Sequence, residues 1–337
     1  MPDKNLVNYI FLSRCIPLPL SALKIINKNF DNFDDILDLS KYDFKQLLKS
    51  FKKNYNIPLR NLNQTVHNFA KKKNHSIKKN IENILNLCQE KNIKCTSFFE
   101  KDFPFILRNI KSPPKLVFIK GNIKEDDDKA VAMIGTRNPT QYGKKMARKI
   151  ARRFAEKGFT IVSGFARGID TISMRSALEN GGRSIGVIAS GILNIYPKEN
   201  RVLVDKLTQN GALISERFPE KNVNVRALQI RNRITSALGL ANIFVEGTKS
   251  SGTKWQLKFG KEEGRVSIAV KPKGNYEQAY VPNLIIHKEK GKVITNLEDI
   301  DDLLGFLDKQ YKRRKEKRQI SADKYHKMAK MKFRKLI

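Results

Sequence analysis

The chain has 337 residues, more than one ordinary domain needs, with 66 Lys+Arg against 33 Asp+Glu, a formal net charge of +33, and 40% hydrophobic residues. That apolar content excludes wholesale disorder, and the longest uncharged stretch, Ser184 to Pro197, is too short to cross a bilayer, so no membrane association is expected. The first apolar stretch is broken by Arg14 and two prolines, unlike a signal peptide, and the three cysteines (Cys15, Cys88, Cys95) group neither as a disulfide framework nor as zinc ligands; a soluble cytoplasmic protein is expected.

Residues 1–95 carry helical periodicity. Phe44, Leu47, Leu48 and Phe51 fall on one stripe, as do Ile81, Ile84, Leu85 and Cys88, and a small helical domain follows. Residues 96–128 contain Pro104, Pro113 and Pro114 and read as a connector with short extended pieces. From 129 to 308 short apolar runs alternate with amphipathic helices. The runs are Ala130–Ile134, Phe159–Val162, Ser184–Ala189, Ala212–Ser215, Asn242–Val245 and Val266–Val270, with helical patterns such as Lys145–Lys157 and Thr171–Asn180 between them. This alternation predicts an α/β domain, Rossmann-like and doubly wound, with a mostly parallel sheet covered on both faces. Leu284–His287 and Lys292–Thr295 read as a last pair of short strands, and Leu297–Leu307 as a closing helix. Residues 309–337 hold 13 basic and two acidic side chains and few apolar ones, and read as a basic tail that is either flexible or a helix formed on binding.

An open parallel sheet binds ligands beyond the carboxyl ends of its strands. The first such loop is Gly135-Thr136-Arg137-Asn138, and the second is Ser163-Gly164-Phe165-Ala166-Arg167-Gly168, with Asp170 read as the cap of the next helix. A later one contains Ser251 and Gly252, and Arg231-Asn232-Arg233 is read as opening a helix. Glycines let backbone N–H groups approach an anion, helix N-termini carry partial positive charge, and arginines supply forked donors. Together with the net charge, these residues predict a phosphate-binding surface for a polyanion, nucleic acid first. Phe165 is a candidate base-stacking face, or equally packs against Ile169.

Several chemistries are excluded. The first loop lacks the G-x-G-x-x-G of a dinucleotide site, and Gly247-x4-Gly252 is followed by Thr253-Lys254 rather than the Lys-Ser/Thr of a P-loop. Residues 96–286 contain neither cysteine nor histidine, which removes Cys/His and Ser/His/Asp nucleophilic sites and histidine-based metal centres there. His67, His75, His287 and His326 lie outside that stretch and read as surface residues. No catalytic residue, metal or cofactor is expected.

The motifs in combination resemble one family. Phe103-Pro104-x-x-Leu107-Arg108, Pro113-Pro114-x-Leu116, Ile134-Gly135-Thr136-Arg137-Asn138-Pro139, Ser163-Gly164-x-Ala166-x-Gly168-Ile169-Asp170, Tyr196-Pro197-x-x-Asn200, Ser215-Glu216, Arg231-Asn232-Arg233-Ile234 and Val245-Glu246-x6-Gly252 resemble the core of the DNA-processing protein A (DprA/Smf) family. The resemblance covers about residues 96–307, with a weaker likeness of residues 1–95 to the SAM/helix-hairpin-helix-like domain that often precedes it. It implies a protein that binds and protects single-stranded DNA without cutting it, helps load a RecA-type recombinase in natural transformation or homologous recombination, and pairs as a homodimer through the α/β domain. By carry-over, Thr136, Arg137, Asn138, the Ser163–Gly168 loop, Arg231 and Arg233 line the strand-binding pocket. The chain departs from the pattern at Thr136, where the family has Ser, at Met174, where it has His, and at Lys271-Pro272-Lys273-Gly274, where it has a Pro-Gly turn. The basic tail stands where many members carry a winged helix.

Two other readings use the same crevice. One is a sensor of a nucleotide-derived messenger. The other is a phosphoribohydrolase of the lysine-decarboxylase-like group, whose P-G-G-x-G-T-x-x-E loop is answered here by Ser250-Ser251-Gly252-Thr253-Lys254-Trp255-Gln256. A glutamine in the acid's place cannot act as a carboxylate base.

Overall fold

The computed structural model describes residues 2–59, 61–70 and 75–334, and among these the side chains of 75 and of 322–334 lie outside the description, so His75 and His326 are not placed. The chain forms two compact units, Met1–Lys101 with Lys115–Val117, and Asp102–Pro114 with Phe118–Ile337.

In the first unit, α1 (Lys4–Ile10) runs into a π-helical turn (Phe11–Cys15) and is followed by α2 (Leu20–Asn29), α3 (Asp34–Asp38), α4 (Lys41–Tyr55), α5 (Leu62–Ala70), α6 (His75–Glu90) and a strand, β1 (Ile93–Ser97). Helix α4 begins where the Ser40 hydroxyl accepts the Asp43 N–H, and ends at Asn56 in the left-handed region. Its stripe, Phe44, Leu48 and Phe51, is buried, and Phe44 stacks on Phe69 of α5 at 3.7 Å between ring centres. Ile81, Leu85 and Cys88 are buried from α6. Strand β1 straddles the boundary that periodicity places at residue 95. The Phe98 N–H donates to the Lys115 carbonyl, and the Lys115 ammonium donates to the carbonyls of Ser13 and Leu18.

The second unit contains α7 (Phe105–Arg108), the end of β2 (Leu116–Gly121), β3 (Ala130–Ile134), α8 (Gln141–Glu156), β4 (Thr160–Ser163), α9 (Ile169–Glu179), β5 (Ser184–Val187), α10 (Val204–Gln209), β6 (Gly211–Ser215), α11 (Val225–Leu238), β7 (Ala241–Phe244), α12 (Thr253–Glu262), β8 (Val266–Val270), α13 (Tyr280–His287), β9 (Lys292–Ile294) and α14 (Glu298–Arg334). Its sheet runs β2-β6-β5-β4-β3-β7-β8-β9, parallel throughout except for β2, which pairs antiparallel with β6. The supposed connector therefore supplies sheet strand. Strands β3 to β7 are buried on both faces, as near-continuous apolar runs require. Helices α8 and α14 cover part of one face, with Ile150, Phe154, Ile300 and Leu307 in the same apolar cluster as Val131, Ile161 and Ile243.

The chain leaves β3 for β4, β5 and β6 on one side, then returns to place β7, β8 and β9 on the other. The topological switch therefore lies between β3 and β7, where such sheets open a crevice.

Two expectations change here. The apolar run Leu284–His287 is helical: Val281 and Ile285 bury one face of α13, which serves as the crossover that a parallel β8–β9 pair requires. The tail from 309 is a continuation of α14. Arg314, 7% exposed, donates to the carbonyls of Asp128, Leu238 and Gly239, and Arg318 pairs with Asp128, so charge, together with Tyr311 packed against the core, holds a segment with few apolar residues. Residues 335–337 of that tail lie outside the described residues.

Candidate functional site

Beyond the carboxyl ends of β5, β4, β3 and β7 lie two adjoining clefts. One, of about 30 Å³, is lined by Gly164, Phe165, Arg167, Ala189, Tyr196 and Pro197; the other, of about 330 Å³, by Gly135, Thr136, Asp170, Asn232, the Ser250–Thr253 turn, Trp255 and Gln256. Arg137, Ala166, Leu228 and Arg231 line both. They form the wall between the clefts, so the two make one groove centred on a pair of arginines.

The groove is organised around Gly164. A methyl group there would strike the Arg231 guanidinium and come within 2.7 Å of Asp170 Oδ2, so these two buried side chains converge above it. The Arg231 Nη1 donates to the carbonyls of Gly164 and Val187, at the ends of β4 and β5. Asp170 is not the cap of α9, because Gly168 holds that position. Two residues further on, Asp170 accepts the Ala166 N–H at 3.2 Å and pins the loop from below. Burial pushes its carboxyl up to about 6, against the lowering influence of Arg231 and of the Ala166 N–H. Burial also lowers Arg231 to about 10, which leaves it a cation at neutral pH.

Gly168 sits at φ +75°, where a side chain would meet the Thr136 carbonyl and lie 2.6 Å from that of Arg137. The second loop is thereby locked under the first. Above it the Arg137 and Asn138 side chains stand exposed, while the Thr136 hydroxyl accepts the Asn138 N–H at 3.3 Å. The first loop is also tied to β7: the Thr136 N–H donates to the Glu246 carbonyl, and the fully buried Glu246 carboxylate accepts the Thr140 N–H and hydroxyl at 2.9 and 2.5 Å. Asn232 donates weakly to the Gly252 carbonyl at 3.4 Å, and the Ser251 hydroxyl bonds to the Thr248 carbonyl and the Thr253 hydroxyl.

Other expected site residues stand apart. Arg233 is 6% exposed, with both Glu216 oxygens on one nitrogen at 2.9 and 2.8 Å and the Ser112 carbonyl on another; it lines neither cleft and serves packing. Helix α11 begins at Val225, capped by Asn224, so Arg231-Asn232-Arg233 lies within it and presents no helix N-terminus. The Ser163 hydroxyl is buried on the Met133 carbonyl. Arg167, at the rim, is paired with Glu199. Phe165 is 1% exposed and belongs to the core. Sequence reasoning did not select Trp255, Tyr196, Leu228 or Glu246 as site residues. The first of these carried a signal, being the chain's single tryptophan in a loop-to-helix junction.

A family model for DNA recombination-mediator protein A matches residues 94–305. The chain belongs to that family. Its relatives include the DNA processing protein DprA of Bacillus subtilis, 35% identical over 230 residues, which span 68% of this chain and 77% of that protein. Among solved structures, DprA from Streptococcus pneumoniae superposes with a TM-score of 0.71 at 26% identity, covering 87% of this chain and 96% of its own. DprA from Helicobacter pylori, described for its single-stranded DNA binding mode, gives 0.57 at 26% identity over 63% of this chain and 95% of its own. The mostly parallel α/β fold preceded by a helical region is that of the DprA family.

Among the described residues, no cluster of three or more His, Cys, Asp or Glu is placed to hold a metal, and no helix is long and apolar enough to cross a membrane.

Proposed function

We propose that the chain binds single-stranded DNA in the groove at the β3–β7 switch point, protects it, and presents it to a RecA-type recombinase, working as a cytoplasmic homodimer paired through the α/β unit. The observation that carries this reading is the wall of Arg137 and Arg231 between the two clefts. One arginine is exposed and free to meet a phosphate, and the other is buried and fixes the floor beneath it. A flexible strand can follow such a groove, whereas a rigid duplex meets the rims. The H. pylori relative's single-strand binding supports the ligand class, and the net charge of +33 favours any polyanion.

No hydrolysis is proposed. Gln256 occupies the place where the phosphoribohydrolase pattern has its acid, and its buried amide lacks the carboxylate that such chemistry needs. The decisive experiment is filter binding of single-stranded against duplex DNA across a salt series, with nucleoside monophosphates as competitors. Preference for single strands at every salt concentration is expected; equal affinity for both forms, or release of free base from the monophosphates, overturns the reading.

A further inference from the structure

Two of the largest exposed aromatic side chains of the α/β unit stand at the groove, and each lines a different cleft. Trp255 is 40% exposed in the first turn of α12, in the cleft that also contains Thr136 and Gly252; Tyr196 is 41% exposed in the loop after β5, in the cleft that also contains Arg167. The arginine wall lies between them. Buried rings of this unit such as Phe154, Phe159 and Phe244 are core, so exposure of an indole beside a cationic wall calls for its own account. Trp255 has neighbours that restrain it: the Phe259 ring centre is 6.4 Å away and the Lys258 ammonium lies over the indole at 5.5 Å, while two fifths of its surface stays accessible.

We infer that Trp255 and Tyr196 are base-stacking platforms that bracket the phosphate-binding wall, so that the groove holds bases as well as backbone. The inference rests on the single-strand reading of the groove and assigns it a base-contacting role that phosphate donors cannot fill. The loops bearing the two rings follow β7 and β5, three strand spacings apart, or about 14 Å. That separation equals about four steps of stacked strand at 3.4 Å each. A strand gripped at its phosphates by Arg137 would therefore have bases within reach of a ring on either side. Every base has a π-face, so binding by stacking is tolerant of sequence and demands unpaired bases, which duplex DNA does not offer.

Because the chain has one tryptophan, its fluorescence reports on this position alone. The full chain is titrated with an oligothymidylate of about twelve nucleotides, within the usual single-strand site size, and with an abasic oligomer of equal length. Oligothymidylate is expected to quench the tryptophan and the abasic oligomer to bind more weakly without quenching. By filter binding, Trp255→Ala should weaken oligothymidylate about tenfold, in the lower part of the stacking range, and leave the abasic oligomer unchanged. Trp255→Phe should stay within about threefold of the parent, since it keeps a ring. A circular dichroism melt matching the parent shows that the variants are folded. Unquenched fluorescence together with unchanged affinity in Trp255→Ala overturns the stacking role, and the groove reading survives if Arg137→Ala still weakens both oligomers. If Arg137→Ala also binds both normally, the groove itself is refuted.

Discussion

Replacing Arg231 by alanine tests how the groove is built. The guanidinium holds the carbonyls that end β4 and β5 and offsets a carboxylate buried beside it. Removal takes a donor from the Gly164 and Val187 carbonyls and the neighbouring cation from Asp170, a cost of about 1–3 kcal/mol for each buried group left unsatisfied. The sign with pH follows from Asp170. Its folded value of about 6 lies above the usual carboxylate value of 3.8, so the folded state holds the proton more tightly. Its contribution to stability is thus fully present at low pH and is lost as pH rises through about 6, amounting to about 3 kcal/mol for a shift of this size. Without Arg231 the folded value climbs further and the loss extends to higher pH, so Arg231→Ala should be more damaging at pH near 8 than near 5. Asp170→Asn should flatten this slope. The double variant should be less damaged than the sum of the singles, by about 1–3 kcal/mol. Urea unfolding followed by Trp255 fluorescence, which reports on the α/β unit, gives all three values. A single-variant cost below about 1 kcal/mol, or strict additivity in the double, would refute the view that these two residues organise the loop ends as a pair.

Arg137→Ala, at an exposed position, should leave the urea midpoint unchanged and lower single-strand affinity by about 1.5–3 kcal/mol, as filter binding would show. Arg233→Ala should do the reverse: it removes the bonds to both Glu216 oxygens and to the Ser112 carbonyl, lowering the melting temperature while the folded fraction binds single strands with parent affinity. Gly168→Ala should be among the most damaging single changes in the groove, because the added methyl meets two backbone carbonyls of the first loop; loss of both stability and binding is expected, and a neutral result in urea unfolding contradicts the packing described. Truncation after Ser321 removes six basic residues yet keeps Arg314 and Arg318, so stability should hold. The salt slope of single-strand binding should flatten by at most about 0.7 per lost phosphate contact, read from affinities at several ionic strengths.

The sheet was legible because strands covered on both faces must be apolar at nearly every position, and β3 and β8 match their sequence runs end to end. Loops beyond the strand ends were legible for the same reason, and Arg137 stands where that logic puts it. The arginines of α11 were not separable by sequence. Arg231 and Arg233 sit two residues apart in one helix, but one points to the β4 and β5 carbonyls and the other to Glu216, and nothing local distinguishes them. The stretch at 284–287 was ambiguous because a short apolar run fits strand and helix alike. The packing of α14 was invisible for a different reason: its anchor, Asp128, lies 190 residues earlier in the chain than Arg318.

The carbonyls held by Arg314 belong to residues just before β3 and just before β7, the two strands that flank the switch point. Parallel strands put all their starts at one pole and all their ends at the other, so this clamp grips the sheet at the pole remote from the groove. Arg314 thereby fastens the starts of the same two strands whose far ends carry loops of the groove. The loops at the open pole can therefore be lengthened, shortened or re-charged, by mutation or by design, while the strands that carry them stay fastened at their roots.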